Sequence, residues 1–337
     1  MRAIGYREPQ DISAETSLIT LDLPEPVATG RDLLVEVKAI SVNPVDTKVR
    51  RNARPPEGEA RILGWDAAGI VKAVGPEVTA FGPGDAVFYA GALNRPGANM
   101  EFHLVDERIV GPKPTSLSFA EAAALPLTMI TAWEMLFDRL KVRDPVPGAA
   151  PALLIVGGAG GVGSAAIQLA RQMTDLTVIA TASRPETRAW ASELGAHHVV
   201  DHSRPLAEEV AALGIGASGF VFFTTHTAQH LPEVLKLVAP QGRLGVIDDA
   251  PTLDVMPLKN KSLSLHWELM FTRSLHQTAD MQAQGDLLAE VARLVDAGAL
   301  RSTLTESFGR IDIANLKRAH ALLESGKARG KIVLEGF

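Results

Sequence analysis

Gly158-Ala159-Gly160-Gly161-Val162-Gly163 fits the pattern G-x-G-x-x-G and lies between an apolar run, Leu153-Leu154-Ile155-Val156, and a helix-forming stretch from Ser164 to Gln172. Strand, glycine turn and helix in that order restrict the fold more than any other feature of the chain. Glycines permit the tight turn and let backbone N–H groups approach a pyrophosphate, and the helix N-terminus adds a favourable dipole. A loop that merely turns the chain is the competing reading. Further β/α units weigh against it: a strand at Thr177–Thr181, a helix at Glu186–Leu194, a strand at His198–Val200, a strand at Gly219–Phe223, a helix at Leu231–Val238 and a strand at Gly242–Ile247. Such alternation implies a doubly wound parallel sheet with helices on both faces.

Discrimination between NAD and NADP is made where the second strand ends, about 20 residues past the glycines, because an acidic side chain there holds the ribose 2′-hydroxyl. Here that corner reads Thr181-Ala182-Ser183-Arg184, and the next carboxylate is Glu186. Ser183 can donate a hydrogen bond and Arg184 can pair with a phosphate, so the corner is read for NADPH. In the competing reading Ser183 caps the following helix and Arg184 is solvated. Arg188, one turn further on, and His202 are additional candidates for the same phosphate.

Residues 1 to about 125 have another texture. Leu33–Ile40, Gly69–Val74 and Ala86–Tyr89 are short apolar runs broken by turns such as Gly82-Pro83-Gly84-Asp85, and they suggest a β barrel or sandwich. Helix formers take over from Phe119. The chain closes with an amphipathic stretch, Leu287–Val295, stopped by Gly298, then a helix at Ala314–Glu324 and a strand at Lys331–Leu334. A length of 337 residues favours two domains over one core.

The 33 basic and 39 acidic residues give a net charge of −6, which supplies no footprint for nucleic acid or an anionic membrane. The absence of cysteine removes disulfides, thiolate catalysis and every zinc site that needs sulfur. Arg2, Arg7 and Glu8 interrupt the N-terminus where a signal peptide would be apolar, and no uncharged apolar run reaches the ~20 residues of a membrane span. A cytoplasmic protein with a small-molecule partner is expected. His226, His230 and Glu233 would share one face of a helix as metal donors. Pro232 suits a first turn better than a helix interior, so the segment is read as a loop leading into a helix, with His226 near the cofactor and no metal.

Ser41-Val42-Asn43-Pro44-Val45-Asp46-Thr47-Lys48-Val49-Arg50, Leu63-Gly64-Trp65-Asp66-Ala67-Ala68-Gly69 and His266-Trp267-Glu268-Leu269-Met270-Phe271 resemble the medium-chain dehydrogenase/reductase superfamily. The likeness is to its quinone oxidoreductase-like branch, in a subgroup labelled zinc-type alcohol dehydrogenase-like. It implies a GroES-like β-rich catalytic domain, residues 1–125 and 300–337, and a Rossmann NADP-binding domain, residues 126–299, facing each other across a cleft. Zinc alcohol dehydrogenases hold their catalytic metal with a cysteine, the histidine of a G-H-E motif and a second cysteine; this chain has Asn43, Gly64-Trp65-Asp66 and Leu127 at the matching places. No zinc is therefore expected.

The resemblance further implies that Asn43, Asp46 and Lys48 lie near the nicotinamide, with Thr131 beside its ring. Asn43 would then donate to a carbonyl oxygen, Lys48 would stabilise negative charge or relay a proton, and Asp46 would orient Lys48 or Arg50. An ordinary turn is the competing reading of Asn43-Pro44-Val45-Asp46. Asp66 is expected to pair with Arg50 or Lys48. Trp65, Trp267 and Phe271, with Met270, would line an apolar acceptor pocket, or else belong to the core or to a dimer interface. Without a Lewis acid, reduction of quinones or α,β-unsaturated carbonyls by NADPH is the expected activity, because conjugation spreads the charge that hydride addition creates. The alternatives are a non-catalytic NADPH-binding protein, an enoyl-thioester reductase using a tyrosine such as Tyr89, and a zinc-dependent alcohol dehydrogenase. A homodimer follows from the resemblance alone.

Overall fold

The computed structural model describes residues 1–337, which divide into two compact units: residues 1–130 with 271–337, and residues 131–270. In chain order the first unit opens with β1 (Arg2–Tyr6), β2 (Ile19–Asp22), β3 (Asp32–Val42), α1 (Pro44–Asn52), β4 (Arg61–Ile62), β5 (Ala67–Val74), β6 (Ala86–Tyr89), β7 (Phe102–Asp106), β8 (Val110–Pro112) and α2 (Phe119–Ala123). Helix α3 (Pro126–Trp133) leads to the second unit, with β9 (Ala150–Val156), α4 (Gly161–Met173), β10 (Thr177–Thr181), α5 (Pro185–Glu193), β11 (His198–Val200), α6 (Leu206–Ala211), β12 (Ser218–Phe223), α7 (Thr227–Leu237), β13 (Val238–Val246) and β14 (Ser264–Trp267). The chain returns through α8 (Thr272–His276), α9 (Ala283–Asp296), β15 (Leu304–Ser307), α10 (Ile313–Glu324) and β16 (Lys331–Glu335).

The first unit is GroES-like, built on a seven-stranded sheet in the order β15-β16-β3-β5-β6-β8, with β7 also on β3, and on a smaller sheet β2-β1-β4. Register along β3 gathers three polar side chains. Val42 at the end of β3 lies opposite Ile332, and Ile40 lies opposite Ala67, so Asn43, Asp66 and Lys331 emerge together where three strands end or begin. Asn-Pro-Val-Asp there is the start of α1: Pro44 takes the first helical position, where no N–H is needed, and Asp46 accepts from the Asn43 N–H.

The second unit is a parallel sheet in the order β11-β10-β9-β12-β13-β14. Leu154, Val156, Ile179, Val221, Phe223 and Leu244 make its core, and the strand Ser218–Phe223 is buried on both faces, as a central parallel strand must be. Strand order reverses at β9, which places the glycine turn after β9 at the switch point where such sheets bind ligands.

Two expectations need correction. Residues 271–299 belong with the β-rich unit, so the dinucleotide-fold unit runs over 131–270 and not 126–299. The reason is the close seating of α9 on β8: a Cβ on Gly285 would lie 2.8 Å from the Arg108 carbonyl oxygen, and one on Gly111 would lie 2.5 Å from the Leu288 Cβ. Pro232 stands inside α7 and not in its first turn, because the helix starts at Thr227. Its first N–H is satisfied from far along the chain, by Asp248 Oδ2 at 2.9 Å.

Candidate active site

The glycines after β9 divide into structural and open positions. A Cβ on Gly158 would fall 2.7 Å from the Ala180 Cβ, and one on Gly163 would fall 2.3 Å from the Gly157 carbonyl oxygen, so both are required for helix α4 to pack on the sheet. Gly157, outside the motif as read from sequence, takes the turn itself with φ +86° and donates its N–H to Thr181 Oγ1 at 3.0 Å. Gly160 is different. Its φ of −72° is ordinary and a Cβ would meet nothing closer than the Gly157 oxygen at 3.6 Å, so no contact within the chain demands a glycine there. The missing side chain leaves the α4 N-terminus open, with no side-chain cap and no acidic residue in its first turn. Backbone from Gly161, Val162 and Gly163 thus offers N–H groups and the positive end of the helix to a diphosphate. The residues fit a dinucleotide.

At the β10 corner no carboxylate follows Thr181 until Glu186, and that one pairs with Arg184 at 3.2 Å in solvent. Ser183 is half-buried and does not cap α5, whose first turn is closed by Thr187 Oγ1 on the Arg184 N–H, which removes the capping alternative. Arg188 donates to the Val199 carbonyl oxygen at 3.1 Å and so secures β11; that bond competes with its expected role on a phosphate. His202 sits on Thr181 Oγ1 at 2.9 Å. His226 is exposed in the left-handed region, φ 52°, immediately before α7.

In the β-rich unit the places that match zinc ligands come together as a closed polar cluster. Asp66 is fully buried and accepts from Lys331 Nζ at 2.8 Å, Asn43 Nδ2 at 2.8 Å and the Leu127 N–H at 2.7 Å. Asn43 donates its second amide hydrogen to the Trp65 carbonyl oxygen at 3.1 Å, and its Oδ1 accepts from Lys331. Burial raises the Asp66 carboxyl above its ordinary value and Lys331 pulls it back. Asp46, also buried, is pushed up to about 7 by burial despite the N–H donors of Asn43 and Gly64. Several expected roles fail here. Asn43 has no amide hydrogen left for a substrate carbonyl. Asp46 holds backbone, not Lys48 or Arg50. Asp66 pairs with Lys331, the first residue of β16, while Arg50 is buried against Glu324, the Gln10 carbonyl and His320. Lys48 is exposed on α1, and Thr131 is buried in α3.

The side chains expected to line an acceptor pocket differ in exposure. Trp65 and Phe271 are buried and packed edge-to-face with centroids 6.3 Å apart, and the Trp65 indole donates to the Ala92 carbonyl, so both are core. Trp267 stands on β14, 53% exposed. Tyr89 is buried with its hydroxyl on His103 Nδ1 at 3.1 Å, and burial drives its pKa above the ordinary phenol value; Tyr6 donates to the Val49 and Ala53 carbonyls. Neither tyrosine is presented as a proton donor.

Residues 29–132 match the alcohol dehydrogenase GroES-like domain and residues 194–334 match the zinc-binding dehydrogenase family. A zinc-type alcohol dehydrogenase-like protein of Staphylococcus aureus strain MSSA476 is 38% identical over 336 residues, 99% of each chain. The chain belongs to the medium-chain dehydrogenase/reductase superfamily, in its quinone oxidoreductase-like branch. Another member of this superfamily, the quinone oxidoreductase of Mus musculus, is 31% identical over 240 residues, 70% of each chain. Among solved members, a candidate zinc-dependent alcohol dehydrogenase from Rhizobium etli CFN 42 is 64% identical with TM-score 0.98, covering 100% of this chain and 98% of that one. Mycobacterial Rv1454c complexed with NADPH is 28% identical with TM-score 0.82 over 99% of each chain. The chain is therefore a medium-chain oxidoreductase. Zinc, which the family names imply, does not suit the donor set of this chain: Asn43 is fully engaged, and Asp66 already carries a cation, the Lys331 ammonium. No helix is long and apolar enough to cross a membrane.

Proposed function

We propose that the chain is an NADPH-dependent reductase of quinones or α,β-unsaturated carbonyls that transfers hydride without zinc. The observation that carries this reading is the Asn43–Asp66–Lys331 cluster, a neutralised, fully hydrogen-bonded set, together with Trp65 and Leu127, which stand at the other two metal-ligand places and offer no side-chain donor for a metal. A simple alcohol needs a Lewis acid to stabilise its alkoxide, whereas a conjugated acceptor carries much of the developing charge itself. When bound, the reduced dinucleotide supplies the hydride. The chain's part is to hold the diphosphate on the N–H groups of residues 161–163 and the 2′-phosphate at Ser183 and Arg184, with His202 alongside. Lys48, exposed on α1, is the side chain read as meeting charge on the acceptor oxygen. NADPH in the Rv1454c structure and the name of the mouse relative support this reading. The partners are a small electrophile and a second copy of the chain, for which the open edge of β14, with exposed Trp267 and Leu269, is suited; neither nucleic acid nor membrane is involved.

The test follows NADPH absorbance at 340 nm with a panel of quinones, enones and enoyl thioesters, alongside metal analysis. Turnover of quinones or enones that survives chelation supports the proposal. Binding without turnover favours a non-catalytic role, thioester preference favours an enoyl-thioester reductase, and stoichiometric zinc with chelator-sensitive alcohol oxidation favours a metal enzyme.

A further inference from the structure

Three histidines gather at the C-terminal ends of the parallel strands, and the proposed function uses only His202 among them, as an additional contact. His202 follows β11, His226 follows β12, and His230 lies one turn into α7; the rings of His202 and His230 have centroids 5.8 Å apart. His230 is buried and His202 half-buried. Thr181 Oγ1 accepts the Gly157 N–H at 3.0 Å and is hydrogen-bonded to His202 Nδ1 at 2.9 Å. The same hydroxyl thus ties the cluster to the first residue of the glycine turn and to the end of β10, two residues before Ser183.

We propose that this cluster couples recognition of the 2′-phosphate to proton uptake, so that the preference for NADPH over NADH strengthens as pH falls. The proposal rests on the chain's binding a phosphorylated dinucleotide. In the free protein burial and the neighbouring rings oppose protonation of His202 and His230. Burial holds His202 below the ordinary imidazole range, with Asp201 raising it and His226 lowering it; burial holds His230 down too, helped by His202 and His226. Asp201 offsets part of this at His202, and the charges around the cluster have partners of their own. Asp201 accepts from Ser203 and lies 4.0 Å from Arg204, and Glu209 of α6 pairs with the same arginine at 3.5 Å. From α7, Glu233 is held by Lys236 and the Ala207 N–H. After β13, Asp248 is spent on Thr227, and at the β10 corner Arg184 faces Glu186. A dianionic phosphate beside Ser183 would supply the counter-charge that these rings lack. NADH, with a hydroxyl at that position, would not.

Binding of NADPH and of NADH is measured by titration calorimetry between pH 6.5 and 8, in buffers of different ionisation enthalpy, on the intact protein. One linked proton weakens NADPH binding about tenfold per pH unit, with measurable uptake, while NADH affinity stays flat. The phosphate's own second ionisation, near about 6, acts in the opposite sense and cannot mimic this slope. His202→Asn with His230→Gln is expected to abolish the slope. Tight NADPH binding with no proton uptake overturns the proposal and leaves the cofactor reading intact, as does an unchanged slope in the double variant. Failure to bind either dinucleotide overturns both.

Discussion

Replacing Lys331 with methionine removes one charge from a pair whose side chains are 3% and 0% exposed. Asp66 keeps the Leu127 N–H and Asn43 Nδ2 but loses its counter-ion, and Asn43 Oδ1 loses its donor. Breaking a buried pair from one side costs about 3–5 kcal/mol, because the surviving charge stays desolvated. For a unit of about 200 residues each kcal/mol moves Tm by about 2–4 °C, so scanning calorimetry at pH 8 should show a fall of about 6–20 °C. The sign of the pH dependence follows from Asp66. Its folded pKa is raised by burial, and more so without Lys331, so the stability it permits is present at low pH and lost as pH rises through that folded value. The deficit should accordingly shrink at pH 5. Asp66→Asn with Lys331→Met, which leaves no buried charge, should recover a substantial part of the loss. A fall below about 2 °C at pH 8, or a double variant no better than the single one, would refute the reasoning.

Other outcomes are expected from the same geometry. Gly163→Ala forces a Cβ to 2.3 Å from a carbonyl oxygen and should cost about 1–3 kcal/mol in urea unfolding. Glu268, buried beside Glu134 and only partly relieved by Arg139 at 2.7 Å, is pushed up to about 8, chiefly by burial. The folded state thus holds a proton that the unfolded chain releases, and urea melts should show stability falling between about pH 5 and 8. Glu268→Gln should flatten that fall. Trp267→Asp at the end of β14 with Leu269→Asp just after it should convert the proposed dimer to a monomer by light scattering.

What the sequence made legible was local. Strand, glycine turn and helix around Gly160 show as a change from a continuous apolar run to helix formers, and α4, α5 and β10 lie within a few residues of the expected positions. Long-range pairing was hidden. Lys331 and Asp66 are 265 residues apart, and nothing near either names the other; register along β3 brings them together. The start of α7 was missed because its cap, Asp248, comes 21 residues later. The helix Ala283–Asp296 shows its periodicity plainly, but an apolar stripe does not say which sheet it covers. Only the doublet Gly157-Gly158 hinted that the turn begins one residue before the motif.

The most direct test of the central claim, that Gly160 is kept bare for a phosphorylated dinucleotide, is NADPH titration of Gly160→Val followed by fluorescence. No contact within the chain opposes the added Cβ, so Tm should stay within about 2 °C while affinity falls by about 100-fold or more. Unchanged affinity in a folded variant would contradict the account.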